Sequence, residues 1–367
     1  MTRPHDFIVI GGGVIGPAIA YGLARQGSDV VLLDEDDRAL RAARGNFGLI
    51  WVQGKGLGCP AYASWTRHSA GLWPDLAAEL GDVAGLDLGY RRDGGGYLCI
   101  EEDDLARRAA AMARLRDQQA GAFAFETVTG GALADLFPGI SSAVAGAIYC
   151  PHDGQVDPLA LYRGLRVGFM AKGGTWRPGF AARHIRAGAD GVTVSGAGET
   201  VTGRHAIIAA GLGSRALAAE AGIDLPIAPQ RGQLLITERL PPMLPRPTTI
   251  VRQTHQGTVQ IGDTHEDAGF DTATTLPELA RMAAQAVACF PALERARVVR
   301  SWACLRIMTP DGWPVYERSP THPTVTAAVA HSGVTLAAAH VYDLAPALAR
   351  GEIPDCLAPL SRSRFDV

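Results

Sequence analysis

The first 35 residues constrain the fold more than any other stretch. Phe7-Ile-Val-Ile10 is a short apolar run ending in glycines, so it reads as a strand buried on both faces. Gly11-Gly12-Gly13-Val14-Ile15-Gly16 follows and matches G-x-G-x-x-G. Val14 to Gln26 then has helical periodicity, and Gly27 supplies the stop. Asp29-Val-Val-Leu-Leu33 is a second buried strand. It ends at Asp34, the acid that a dinucleotide fingerprint requires roughly 20 residues beyond its glycines. Gly11 allows the tight turn, Gly13 lets a pyrophosphate approach the backbone, and Gly16 lets helix pack on strand. The helix N-terminus at Val14 and Ile15 offers free N–H groups and a positive dipole end to the diphosphate, and Asp34 accepts from ribose hydroxyls. Pro17 falls near the first helical turn, where N–H groups lack intrahelical partners, so it costs little. The unit predicts a bound dinucleotide. By itself it does not separate FAD from NAD.

With 367 residues the chain exceeds one ordinary domain, and 47% hydrophobic against 19% charged residues supports a large core. A net charge of -3 without a long basic run gives no electrostatic footing for nucleic acid or an anionic membrane surface. The six cysteines are scattered with no C-x-x-C, so neither a metal site nor an iron–sulfur cluster is expected within the chain. The polar start at Met1 to Asp6 does not read as a signal peptide, and no run is expected to span a membrane. A cytoplasmic protein with free thiols is the expectation.

Further along, Leu105 to Gln119 reads as an exposed helix, and Val192 to Val194 and His205 to Ala209 as strands. Val259 to Gly262 alternates like a strand of a mixed sheet, and Leu276 to Phe290 reads as a helix. Val334 to Ala349 reads as one long, largely apolar helix preceded by Ser332-Gly333. Nucleotide-binding segments thus fall at the start, middle and end, with substrate-domain segments between them.

Three later segments carry a family resemblance: Gly203 to Gly213, Ile261 to Asp271, and Arg300 to Gly312 followed by Ala330 to Ala337. In order and spacing the chain resembles the flavoproteins that include glycine oxidase, sarcosine oxidase and D-amino acid oxidase. Arg44 to Gly56 and Val251-Arg-Gln-Thr254 are most similar to the catalytic β subunit of heteromeric opine oxidases and D-hydroxyproline dehydrogenase. The resemblance implies an α/β fold. A Rossmann-like FAD-binding domain of the glutathione reductase type (1–85, 146–222 and 301–367) would interleave with an α+β substrate domain on a mixed sheet (86–145 and 223–300). It implies FAD as cofactor and oxidation of the C–N bond of an amino acid, opine or other secondary amine. It also implies a second nucleotide-binding subunit and a small iron–sulfur subunit as partners. Two other readings stay open: a free-standing oxidase that reduces oxygen, and an FAD-binding subunit without turnover.

Amine oxidation by flavin asks few groups of the protein, because the cofactor does the redox chemistry. Arg306 occupies the Arg of the family's Leu-Arg-x-x-Thr-Pro-Asp stretch and is the candidate carboxylate clamp, with a structural ion pair as the competing role. Ser332, Gly333, Val334 and Thr335 begin the closing helix, whose N-terminus would stabilise negative charge on the reduced ring; simple capping by Ser332 is compatible with that. Asn46, Phe47 and Gly48 align with the loop beside the isoalloxazine, although Phe47 also reads as a core aromatic. The resemblance extends the cofactor contacts to Glu35, Arg44, Leu49, Ala182, Ala210, Gly211 and Arg306. His331 would orient flavin or substrate, or else pack. Lys55, in its Gly-Lys-Gly context, reads as a solvated lysine, with contact to the flavin or a second cofactor as the alternative. Cys304 reads as a buried free cysteine, with a covalent link to flavin, which the resemblance to sarcosine oxidases allows, as the alternative. No general base is evident.

Overall fold

Residues 3–35, 41–188, 191–196 and 198–366 are described by a computed structural model of the chain; Met1 and Thr2, at the head of the polar start, lie outside them. Strand β1 (His5–Ile10) buries Phe7 to Ile10 because both faces of its sheet are covered. Helix α1 (Ile15–Arg25) returns the chain to β2 (Val30–Asp34), which lies parallel to β1 with Phe7 opposite Val30 and Ile10 opposite Leu33. Pro17 sits in the first turn of α1, where its missing N–H is harmless. Parallel strands need long crossovers, so the remaining members of the sheet come from distant parts of the sequence.

Helix α2 (Pro60–Ala84) is long and was not anticipated from the sequence. It buries Tyr62, Trp65, Thr66, Ser69, Trp73, Leu76 and Leu80, a stripe at three- and four-residue spacing. Helix α3 (Pro158–Ala171) leads to β3 (Thr175–Pro178), which pairs with β2, and β4 (Glu199–Ile208) pairs with the other side of β1. The expected strand at Val192 to Val194 falls within the strand Gly191–Gly196, and the one expected at His205 to Ala209 is the end of β4, which stops at Ile208. The expected exposed helix runs over Glu102–Gln118.

A second sheet follows. Its strands are β5 (Ala228–Arg239), β6 (Val251–Gln253), β7 (Thr258–Ile261) and, after helix α4 (Leu276–Cys289), β8 (Val298–Met308). The order is β6-β7-β5-β8 and every pair is antiparallel, so the mixed sheet is the large one around β1. β8 is hydrogen-bonded to β5 across position 301, from Val298 opposite Thr237 to Met308 opposite Ala228. Likewise Gly146–Cys150 pairs with Gly95–Cys99 from the segment before it. Strands β9 (Val315–Arg318) and β10 (Val325–Val329) then complete the large sheet, in the order β9-β10-β4-β1-β2-β3.

Alternate residues of β1 feed different cores, as a period of two demands. Phe7 and Val9 join the core under α1, α2 and the closing helix, while Ile8 and Ile10 join one with Val194, Ile208 and Val329. A third core lies between the antiparallel sheet and α4, with Val251, Val259, Met282 and Phe290. The closing helix is not the single α-helix expected. It runs α over α5 (Gly333–Ala339), widens into a π turn at His340–Leu344, and resumes over Ala345–Ala349. Pro346 has no N–H to give to the turn before it, and the buried His340 uses the altered geometry to meet Tyr316 Oη at 2.7 Å.

Candidate active site

The glycine loop closes on itself so tightly that side chains are excluded. A Cβ at Gly16 would lie 1.8 Å from Gly11 O, and one at Gly11 would lie 2.3 Å from Ala209 O. Gly11 also has φ +111°, which suits glycine alone. Gly12 N donates to Asp34 Oδ2 at 2.5 Å, which ties the end of β2 to the loop. Beside this loop lies a cavity of about 470 Å³ lined by Gly11, Gly13, Val14, Ile15, Asp34, Glu35, Ala210 and Gly211 from one side and by Gly333 and Val334 from the other. A bare-backbone loop at a helix N-terminus with an acid at the next strand end is the donor set that an adenosine diphosphate moiety requires. The residues therefore fit the dinucleotide.

A second cavity, about 680 Å³, is continuous with the first: Asn46, Ile307, His331 and Val334 line both. Its walls bring together Phe47, Leu49, Arg306, Ser332 and Thr335. Several of the expected contact residues lie elsewhere. The Arg44 guanidinium sits over the Tyr162 ring at 5.1 Å, and Ala182 packs at the edge of the core formed with Val194 and Ile208. Gly48 and Gly16 shape the backbone and do not line the cavities: a Cβ at Gly48, where φ is +82°, would meet Val156 O at 2.4 Å.

Arg306 lies on β8 opposite Gln230 of β5. Its guanidinium covers Gly232, where a Cβ would come within 2.5 Å of it. It donates to Thr264 O at 2.8 Å and Asp263 Oδ2 at 2.5 Å. Burial works to raise the Asp263 carboxyl, but His265 and Arg306 outweigh it and hold the group below the usual carboxylate range. The expected clamp is thus in the cavity wall and already carries an ion pair.

Lys55 is the principal correction. It does not reach into solvent; it turns into the second cavity, where Nζ lies 2.7 Å from His331 Nε2. Burial, together with the nearby Arg306, lowers its ammonium to about 8. His331 is held well below its ordinary value by burial and by Lys55 and Arg306, so it is neutral. The loop that delivers Lys55 is clamped by Asp153, whose Oδ1 accepts from Val52 N at 2.6 Å and whose Oδ2 accepts from Gln53 Nε2 at 2.7 Å. Trp51 N adds a bond to Thr335 Oγ1 at 3.0 Å, which fixes the loop to α5.

Ser332 does not cap α5 with its side chain. Its Oγ pairs with Tyr62 Oη at 2.7 Å instead. Helix α2 holds α5 at two further points, since Ser69 Oγ and Trp73 Nε1 both donate to Thr335 O, at 2.7 and 3.1 Å. Cys304 is buried in the wall beside Gly45, where burial pushes its thiol up to about 11. Asp263, Arg281 and Gln285 also line the cavity and were not singled out from the sequence. Arg281 and Gln285 stand four apart on α4, so they share a face, but only the tertiary fold turns that face to the site.

A βαβ dinucleotide unit joined to an antiparallel sheet, with a cationic cavity between them, defines a flavoprotein oxidoreductase. The chain belongs to the FAD dependent oxidoreductase family (DAO), which matches it over residues 6–345. It is an enzyme of that class, with FAD as its cofactor. One subunit of the opine oxidase of Rhizobium meliloti is 37% identical over 362 residues, covering 98% of this chain and 98% of that protein. The corresponding opine oxidase subunit of Agrobacterium tumefaciens (strain Ach5) is 37% identical over 361 residues, covering 98% of this chain and 97% of that protein. The crystal structure of glycine oxidase from Geobacillus kaustophilus matches with a TM-score of 0.90 at 25% identity, covering 99% of each chain. Among the described residues, no helix is long and apolar enough to cross a membrane.

Proposed function

We propose that this protein oxidises the C–N bond of a carboxylate-bearing amine, of the opine, D-hydroxyproline or related imino acid type, and passes the electrons to partner subunits. One observation carries the reading: the cavity next to the dinucleotide cleft sets Arg306, Lys55 and Arg281 against Asp263, the one carboxylate in its described wall. Such a wall favours an anionic substrate. When bound, FAD supplies the hydride acceptor. On this reading segments 1–85, 146–222 and 301–367 hold the cofactor, and 86–145 and 223–300 cover the substrate. Gly11, Gly13, Val14, Ile15, Asp34 and Glu35 would hold the nucleotide end, and Asn46, Phe47, Leu49, Ser332, Gly333, Val334 and Thr335 the flavin end. Arg306 would orient the carboxylate, leaving the substrate Cα directed at the flavin.

The partner part of the reading rests on the two opine oxidase relatives, each of which is by name one subunit of its enzyme. Among the described residues no group of three or more His, Cys, Asp or Glu is placed to hold a metal ion. On this reading an iron–sulfur carrier and a second nucleotide sit on partner chains. Anaerobic flavin bleaching across N-carboxyalkyl amino acids, proline-type imino acids and glycine tests the substrate class. Native mass of the complex from its source, with turnover on oxygen against turnover on a dye, tests the partners. A lone homomer that makes hydrogen peroxide at full rate refutes the partner reading and leaves a free-standing oxidase. A flavin that none of these amines bleaches refutes the amine reading.

A further inference from the structure

The two-electron oxidation of an amine has a proton requirement that Arg306 and the cofactor cleft do not meet. A substrate amine in neutral water is mostly ammonium. Its nitrogen needs a free lone pair before the electrons of the Cα–H bond can leave, because that pair forms the new C=N bond. The proton must go to a group within hydrogen-bond reach of the nitrogen. Arg306 cannot take it, since a guanidinium stays charged. Asp263 is engaged by Arg306 and held in its charged, weakly basic form.

Lys55 differs from every other cation in the wall. Arg306 is paired with Asp263 and Arg281 with Glu278 at 2.9 Å, whereas the described partner of Lys55 Nζ is the neutral ring of His331. Burial is the largest influence on it; the guanidiniums of Arg306 and Arg108 also disfavour its charge, and Asp263 and Asp153 oppose them. The balance weakens the ammonium: Lys55 loses its proton at about 8, so part of it is free amine within reach of neutral pH.

We propose that Lys55 is the proton acceptor for the substrate amine and that His331 positions it. This rests on the amine-oxidation reading above. In the step, the Lys55 lone pair takes the proton from the substrate ammonium, giving a Lys55 ammonium and a neutral amine. The amine then loses hydride from Cα to FAD and becomes an iminium. The substrate has lost one proton and one hydride in all, and no further reagent is needed. The Lys55 ammonium donates to His331 Nε2 until solvent collects the proton after product leaves. A neutral His331 can accept this bond, which is why its low basicity suits it to positioning and not to proton uptake.

The test uses FAD-loaded protein and an N-(1-carboxyethyl) amino acid, with anaerobic stopped-flow reduction recorded from pH 6 to 10. The wild-type rate is expected to rise through an inflection near 8. Lys55→Met and Lys55→Arg are both expected to fall about 100-fold or more at pH 7.5 and to lose that inflection. His331→Gln should move the inflection while keeping most of the rate at high pH. Lys55→Arg separates base from charge: if it keeps the wild-type rate and profile, Lys55 only attracts the carboxylate and the proposal is overturned. A wild-type rate in Lys55→Met overturns it as well. A second readout needs no turnover. The chain has two lysines, Lys55 and Lys172, so ¹⁵N-lysine NMR with Lys172→Arg for assignment titrates Lys55 directly. Titration near 8 supports the proposal, and titration at an ordinary lysine value overturns it. If Lys55 titrates near 8 yet no amine reduces the wild-type flavin, it is the amine reading that has failed, and the proton acceptor role goes with it.

Discussion

Arg306 Nη2 lies 2.5 Å from Asp263 Oδ2, so the guanidinium best placed to bind a substrate carboxylate already holds one. The pair is neither free nor deeply sealed, with side-chain exposures of 18% and 35%. On the proposed function, an incoming carboxylate would share the Arg306 fork with Asp263 or displace it, and repulsion from Asp263 would oppose its binding.

Two substitutions follow with opposite signs. Asp263→Asn removes the repulsion and should tighten binding of a carboxylate inhibitor several-fold. Arg306→Ala should weaken it by roughly 1.5–3 kcal/mol, as loss of a charged hydrogen bond does. Flavin absorbance titration gives both Kd values. An unchanged Kd in Arg306→Ala moves the carboxylate site to Arg281 or elsewhere.

The glycine loop gives a prediction about cofactor affinity. A methyl group at position 16 would stand 1.8 Å from Gly11 O, a clash with backbone that no side-chain rotation relieves. Gly16→Ala should therefore lose FAD, and Asp34→Ala should weaken it with less damage to the fold. Purified protein should be colourless in the first case, and in the second flavin fluorescence should show a Kd at least roughly tenfold higher.

Much of this architecture was legible because it is local. The strand, loop, helix and acid of Phe7 to Asp34 lie within one stretch, and each has its own residue signature. What was missed depends on distant contacts. Helix α2 carries its apolar stripe at helical spacing, but Pro60, Pro74 and several small residues obscure it. Lys55 looks solvated in a Gly-Lys-Gly context, and only the clamp of Asp153 on Val52 and Gln53, about 100 residues away in sequence, turns it inward. The Arg306–Asp263 pair joins β8 to the loop just after β7, a long-range contact that sequence spacing does not set. The π turn in the closing helix had a visible cue in Pro346, yet its buried partner Tyr316 came from another strand.

Ser69 gives a stability prediction away from the chemistry. Its fully buried Oγ donates to Thr335 O at 2.7 Å and accepts from Ala339 N at 3.1 Å, stitching α2 to α5. Ser69→Ala leaves Trp73 Nε1 on Thr335 O but strips one donor from it and the acceptor from Ala339 N. The expected loss is about 1–2 kcal/mol, with FAD retained. Urea unfolding reads the first and absorbance the second; loss of FAD at unchanged stability would contradict the bracing role given to Ser69.

Asp153 sets a pH dependence with a definite sign. It is fully buried, and desolvation raises its carboxyl to about 7 against the bonds from Val52 and Gln53 that favour the charged form. The folded protein then binds a proton at Asp153 that the unfolded chain, with a carboxyl near 3.8, has released. Stability from this group is complete below that lower value and is lost as pH rises through about 7. Gln53 Oε1 has no hydrogen-bond partner among the described residues, so a turn of its amide lets it accept the proton of a neutral Asp153. Asp153→Asn mimics that neutral form: its oxygen still accepts from Val52 N, and its NH2 can donate to the turned Gln53 Oε1. The wild type should lose roughly 1–3 kcal/mol more than Asp153→Asn between pH 5 and pH 8. Urea melts of both proteins at the two pH values measure the difference. Equal losses would mean that Asp153 is ionised at both, and that the loop carrying Lys55 is held by a charged clamp throughout.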